Sequence, residues 1–180
     1  RNPGLSEKRA RLVAFIEHLD AGIGLVLNAL QTNDLHDNTL IVFTSDNGGL
    51  LRDEANNGPL RDGKQSVYEG GLRVPTSIVW KNHITAESST NYMAATMDLY
   101  PTLLEAANID YSHEIDGISF LPVLKNDTLA EAERPLYFVR REGGARYGGL
   151  TIQAVIRDDW KLLQNSPFEA QELYNLKEDP

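Results

Sequence analysis

The sequence predicts an α/β fold. Residues 1–110 read as part of a core sheet with flanking helices, and residues 111–180 as a small C-terminal antiparallel sheet with a helix. Three observations carry this. Leu12, Ile16, Leu19, Ile23, Val26 and Leu30 recur three and four apart, the period of a helix with one apolar face. Leu40-Ile41-Val42-Phe43 is a continuous apolar run of β-formers, as in a strand covered on both faces. From Pro135 onward the pattern shortens to strand-length runs, Leu136–Val139, Ile152–Ile156 and Trp160–Leu163, with Asp158-Asp159 as a hairpin turn between the last two.

Composition narrows the function. The 180 residues are 41% hydrophobic and 24% charged, enough to bury a core and too apolar for a disordered chain. No uninterrupted run approaches the ~20 apolar residues of a membrane-spanning helix, so no membrane role is expected. Seventeen Lys and Arg against 26 Asp and Glu leave a net charge of −9, the opposite of a nucleic-acid binder. A few local cations could still bind an anionic substrate. The absence of Cys removes disulfides, thiolate zinc sites and cysteine nucleophiles, and with them any reading of the redox compartment.

The elements follow in order. Ser6 is an N-cap with Glu7 in the first turn. The long helix behind it should pack one face against a large neighbour, with Gly22 and Gly24 allowing close approach. His18 and Asp20 read as a solvated polar pair, since no third polar partner is near. The strand at 40–43 ends in Thr44-Ser45-Asp46-Asn47-Gly48-Gly49, and ligand sites of open α/β sheets lie beyond such strand ends. Asp46 and Asn47 offer hard oxygen donors suited to Ca²⁺ or Mg²⁺. The same residues equally suit an Asx turn, and two ligands do not make a divalent site. Residues 50–66 form a loop in which Gly58–Lys64 spells G-x-x-x-x-G-K. It is not a phosphate-binding P-loop: Gln65 stands where a hydroxyl should bind magnesium, no strand leads into it, and Gly70-Gly71 follow too soon for a proper helix. Thr76–Trp80 reads as a strand and Thr96–Glu105 as a helix, N-capped by Asp98 with Pro101 in its first turn. Phe120–Leu124 suggests one further helical turn. Asn126-Asp127-Thr128 has the form of a glycosylation sequon and carries no weight by itself.

Two segments then join. Thr44-Ser45-Asp46-Asn47-Gly48, followed by Gly63-Lys64-x-Ser66-x-Tyr68-Glu69-Gly70-Gly71-x-Arg73-Val74-Pro75, resembles the sulfatase family, arylsulfatase type. The long first helix, Thr96–Glu105, Asp116–Phe120 and Glu172–Leu176 are family-like as well. The resemblance implies an alkaline-phosphatase-like fold and hydrolysis of a sulfate ester, either an aryl sulfate or a sulfated carbohydrate. It implies a calcium ion (Mg²⁺ as the alternative) with Asp46 and Asn47 as one pair of ligands, and Lys64 as the lysine that binds the sulfate group. It also implies a periplasmic, secreted or lysosomal-type compartment and a sulfated small molecule or glycan as partner. Oligomeric state is not readable.

The departures are specific. Sulfatases use a formylglycine made in a Cys/Ser-x-Pro/Ala-x-Arg motif, and this sequence holds no such motif; Ser166-Pro167 has the wrong spacing. The expectation is therefore the C-terminal half of a sulfatase, inactive alone. His18, His36, His83 and His113 match no site position, and Arg140, Arg141 and Arg146 read as solvated. Glu69 and Arg73 are expected to pair with each other, and Lys161 to lie clear of the anion site. Two rivals remain: a phosphate- or phosphonate-ester hydrolase of the same superfamily, and a noncatalytic sulfated-glycan-binding protein.

Overall fold

The computed structural model describes residues 4–126, 134–141 and 151–179, which fall into two compact units. The sequon's Asp127-Thr128 and the loop with Arg146 lie outside the described residues.

The first unit comprises residues 1–29, 44–76 and 133–180. Helix α1, Glu7–Thr32, begins where expected: the Ser6 hydroxyl accepts the Arg9 N–H at 3.1 Å. Its first turn is tied to the following loop, with Lys8 Nζ donating to Arg52 O at 3.1 Å and Arg9 to Glu54 O at 2.7 Å. Beyond that turn the expected packed face is not seen, for no residue of α1 is buried and Phe15 is 74% exposed. Periodicity reports that a helix can bury a face, not what covers it. The helix is also long and apolar enough to cross a membrane by length and composition, with a mean hydropathy of 1.5 over its best stretch. This corrects the expectation that no such segment exists, which counted uninterrupted runs and stopped at Glu17 and Asp20. An aspartate at a bilayer centre costs about 2.5–3.5 kcal/mol, which favours a face meant for protein.

Four strands, β3 (Leu136–Arg141), β4 (Thr151–Arg157), β5 (Trp160–Gln164) and β6 (Glu172–Asn175), form an antiparallel sheet in sequence order. Arg157 pairs with Trp160, so the β4–β5 loop is Asp158-Asp159, as predicted. Asp158 takes φ +53°, the left-handed conformation that two-residue hairpin loops require. Alternation puts Ala154, Ile156, Lys161 and Leu163 inside. Ala154 and Leu163 pack with Val67 and Tyr68, so the core of this unit forms between the sheet and the segment after Lys64.

The second unit comprises residues 30–43 and 77–132. Strands β1 (Ile41–Thr44) and β2 (Thr76–Val79) form a two-stranded sheet. β1 is not buried on both faces as expected: no residue of it is fully buried and Phe43 is 47% exposed. Helix α3, Leu99–Ala106, packs near the single turn α4, Leu121–Leu124. Asp98 precedes α3 but does not cap it with its side chain. Fully buried, it accepts the Ala95 N–H at 2.7 Å and the Ile118 N–H at 2.8 Å, while the Thr102 hydroxyl accepts the Phe120 N–H at 3.1 Å. These bonds hold the 116–120 segment to the start of α3, and a Cβ on Gly117 would stand 2.3 Å from Met97 O.

Candidate anion and metal site

Both predicted segments lie in the first unit. β1 delivers Thr44–Gly49, and residues 57–72 fold back on it. The Gly48 N–H donates to Gly71 O at 2.9 Å and the Lys64 N–H to Gly49 O at 3.0 Å. The backbone of the lysine is thus fastened to the loop that carries Asp46 and Asn47. The side chains of these three residues make no hydrogen bond or ion pair among the described residues, and Asp46 and Lys64 are exposed.

Glycines permit the contact. A Cβ on Gly48 would fall 1.7 Å from Gly70 O and one on Gly63 2.2 Å from Gly49 O, while within the lysine loop one on Gly71 would fall 2.4 Å from Ser66 O. Those distances lie far inside any real contact, so the two loops meet backbone to backbone. Lys64 stands between two non-glycine residues with positive φ, Asp62 at +61° and Gln65 at +85°. Such conformations persist only where surroundings over-determine them. Asp62 is held through its carbonyl by Asn57 Nδ2 at 2.8 Å and through Oδ1 by the Gly63 N–H at 2.8 Å; the carbonyl of Gln65 accepts from Arg140. Arg140 is therefore not the solvated charge expected.

Asn57 is the residue that sequence reasoning missed. It was legible only as part of an Asn-Asn-Gly-Pro turn, yet its Oδ1 accepts the Gly49 N–H at 2.8 Å and its Nδ2 donates to Gly49 O at 3.1 Å and to Asp62 O. One amide therefore bridges both loops. Beside it opens a cavity of about 460 Å³ lined by Arg9, Glu54, Asn56 and Asn57 among others.

Glu69 departs from expectation. It heads the single turn α2, Glu69–Leu72, and its partner is not Arg73 but Lys161 of β5, at 2.8 Å and 92 residues away. The side chains are 10% and 2% exposed, so Lys161 is not a peripheral lysine either. Burial holds its ammonium below the usual lysine range, opposed by the Glu69 carboxylate. Arg73 meets Glu69 only through its backbone N–H.

Next to this pair, Glu172 of β6 gathers the hydroxyls of Tyr174 and Tyr68, the latter at 2.8 Å, with Arg61 at 3.4 Å and Asn165 Nδ2 at 3.1 Å. The Arg61 guanidinium also lies 3.9 Å over the Tyr68 ring. The Tyr174 hydroxyl, ahead of the other donors, holds the Glu172 carboxyl below its usual range. In turn burial, then Glu172, raises Tyr68, and Glu172 raises Tyr174.

The histidines do not join this arrangement. His36 lies beside Asp37, which Lys81 grips at 2.6 Å, His83 stacks on Trp80 at 3.9 Å, and His113 lies 5.9 Å from the Tyr100 ring. Among the described residues no group of three or more His, Asp or Glu could hold a metal. Asp46 and Asn47 nevertheless fit a hard divalent cation as part of its shell, for both offer oxygen and neither is committed elsewhere. Ca²⁺ takes six to eight oxygens, so further ligands must join these two.

A strand end with paired oxygen donors, a lysine loop closed onto it by glycines and a buttressing antiparallel sheet are parts of a mixed α/β fold of the alkaline-phosphatase-like class. The sulfatase family profile matches residues 4–109, and the profile of the N-sulphoglucosamine sulphohydrolase C-terminal region matches residues 62–180. The chain belongs to the sulfatase family. N-acetylgalactosamine-6-sulfatase of Homo sapiens is 35% identical over 141 residues, covering 75% of this chain and 27% of the human protein. Among solved structures, Ps i-CgsB in complex with k-i-k-neocarrahexaose superposes with a TM-score of 0.87 at 33% identity, covering 98% of this chain and 38% of that one. The structure of BT4656 with its substrate D-glucosamine-2-N,6-O-disulfate gives 0.77 at 29% identity, covering 92% of this chain and 33% of that one. The chain thus spans 27% to 38% of the length of these relatives.

Proposed function

We propose that this chain is the C-terminal part of a sulfatase that hydrolyses sulfate esters on carbohydrate, and that Lys64 binds the sulfate group. Residues 1–110 would then belong to its catalytic α/β core and 111–180 to a C-terminal subdomain. The observation that carries the reading is the 3.0 Å bond from the Lys64 N–H to Gly49 O, which fastens the backbone of a lysine with an uncommitted ammonium to the loop that bears Asp46 and Asn47. Relatives solved with k-i-k-neocarrahexaose and with D-glucosamine-2-N,6-O-disulfate support a glycan substrate.

Asp46 and Asn47 would supply two oxygens to a calcium ion, and positive charge held there would stabilise the anion that develops on the transferring SO₃ group. The Lys64 ammonium would do the same from the other loop, donating hydrogen bonds to sulfate oxygens. A nucleophile of the formylglycine type would come from residues outside this sequence, which contains no Cys. A periplasmic, secreted or lysosomal-type compartment accompanies this reading.

The test is Lys64→Ala in the full-length enzyme. Loss of one preorganised contact should lower turnover about 10²- to 10³-fold, with stability changed by less than about 0.5 kcal/mol because the side chain is exposed. Lys64→Arg should not restore the rate, since a planar fork cannot take the place of a compact ammonium. Because Lys161 is buried, the control is Lys177→Ala, whose side chain is 74% exposed. Near-normal turnover by Lys64→Ala would refute the assignment.

A further inference from the structure

We propose that Glu69 and Lys161 form a positioning pair for Lys64, fastening the turn that closes the lysine loop to the C-terminal sheet. The proposal rests on the reading of Lys64 as the sulfate-binding residue.

Three observations carry it. First, the ion pair is nearly sealed from water, with Lys161 at an inward position of β5 where its neighbours across the sheet are Ile156 and Tyr174. An apolar pair of similar volume is often as stable or more so, so stability alone does not explain a charge pair here; a directional bond does. Second, the turn that Glu69 heads is wired to the lysine loop. The Gly70 N–H donates to Arg61 O at 2.9 Å, and Gly71 accepts from Gly48 while packing against Ser66 and Gly63. A displacement of Glu69 therefore moves the backbone on both sides of Lys64. Third, the strained residues at 62 and 65 need external fastening, and β3 supplies one fastening through Arg140 on Gln65 O. The sheet thus grips the loop on both sides of Ser66.

The test uses the full-length enzyme with Glu69→Gln, Lys161→Met and the double variant Glu69→Leu/Lys161→Met, each with and without Lys64→Ala. The single variants strand a buried partner and should unfold more readily; the double variant removes both charges and should regain thermal stability. If the pair positions Lys64, the double variant should still show kcat on 4-nitrophenyl sulfate down roughly 10- to 10²-fold, as small misplacements cost in active sites. The inhibition constant of inorganic sulfate should rise in parallel, and amide exchange over residues 61–72 should quicken. In the Lys64→Ala background the same double change should cost less than about twofold more, because the lysine through which it acts is gone. A double variant with wild-type stability, kcat and exchange would overturn the proposal. So would an equal loss with and without Lys64, which marks a general packing role. If Lys64→Ala itself keeps full turnover, the sulfate-binding assignment falls and takes this inference with it. That result is read separately from exchange at 61–72, which reports only the fastening.

Discussion

Replacing Asn57 by alanine should destabilise the protein by about 2–3 kcal/mol. The substitution deletes three hydrogen bonds, from the Gly49 N–H at 2.8 Å, to Gly49 O at 3.1 Å and to Asp62 O at 2.8 Å. Each is worth roughly 0.5–1.5 kcal/mol net, and a donor left without a partner in a half-buried site costs toward the upper end. The losses are unequal. Gly49 O keeps the Lys64 N–H, whereas the Gly49 N–H has no second acceptor among the described residues. Water can reach a half-buried loop in part, which keeps the sum below the full total. Asn57→Asp sharpens the test, for it retains an acceptor for Gly49 but turns a carboxylate oxygen toward two carbonyls. It should be at least as damaging at neutral pH and partly relieved near pH 4, where the carboxyl regains a proton. Urea unfolding measures the stability, and amide exchange at Lys64 reports whether the two loops have parted. An Asn57→Ala protein within 0.5 kcal/mol of wild type, with unchanged exchange at Lys64, would refute the bridging role.

Gly48→Ala should cost about 3 kcal/mol or force the loops apart, because its Cβ would fall 1.7 Å from a backbone carbonyl that cannot swing away; denaturant unfolding checks it, and wild-type stability would contradict it. The Glu172 cluster predicts a pH window. The lowered Glu172 pKa gives stability that is fully present above about pH 4.5 and lost as pH falls through the folded value, while the raised Tyr68 and Tyr174 values give stability lost as pH rises beyond 10. The stability gap between wild type and Tyr174→Phe should therefore shrink below about pH 4.5; a gap constant from pH 3 to 7 would count against the assignment. Calcium should bind the 180-residue chain only in the millimolar range, since Asp46 and Asn47 supply too few oxygens. Calorimetry giving micromolar affinity that Asp46→Ala abolishes would mean other ligands complete the shell.

Much of the architecture was legible because its signals are local. Ser6 declares the helix start by its own hydroxyl, and Asp158-Asp159 marks a hairpin whose register follows from alternation on either side. The Asp46-Asn47 and Lys64 segments were readable as motifs, each a fixed spacing of glycines around one charge. What stayed hidden depends on distant chain. Trp160-Lys161-Leu162-Leu163 offers one alternation with Trp160 and Leu162 inside and another with Lys161 and Leu163, and the residue types favour the wrong one. Only the carboxylate of Glu69, 92 residues earlier, makes the lysine the inward choice. For the same reason Glu69 was matched to Arg73, the nearest cation in sequence. Asn57 had a turn signature and nothing more, since the carbonyls it serves carry no side-chain signal at all.

The glycine contacts between the two loops and within the lysine loop also decide where such a protein can vary. Gly48, Gly63, Gly70 and Gly71 face backbone atoms, and a carbonyl oxygen cannot be made smaller by substituting its residue, so no second-site change restores the space that a first one takes. These positions are closed to gradual exploration, and the frame that joins the two loops is inherited whole or lost. Room for novelty lies in side chains that stand on the frame without building it, such as Arg52 and Leu60. A library of variants should be randomised there, with every glycine of the junction left untouched.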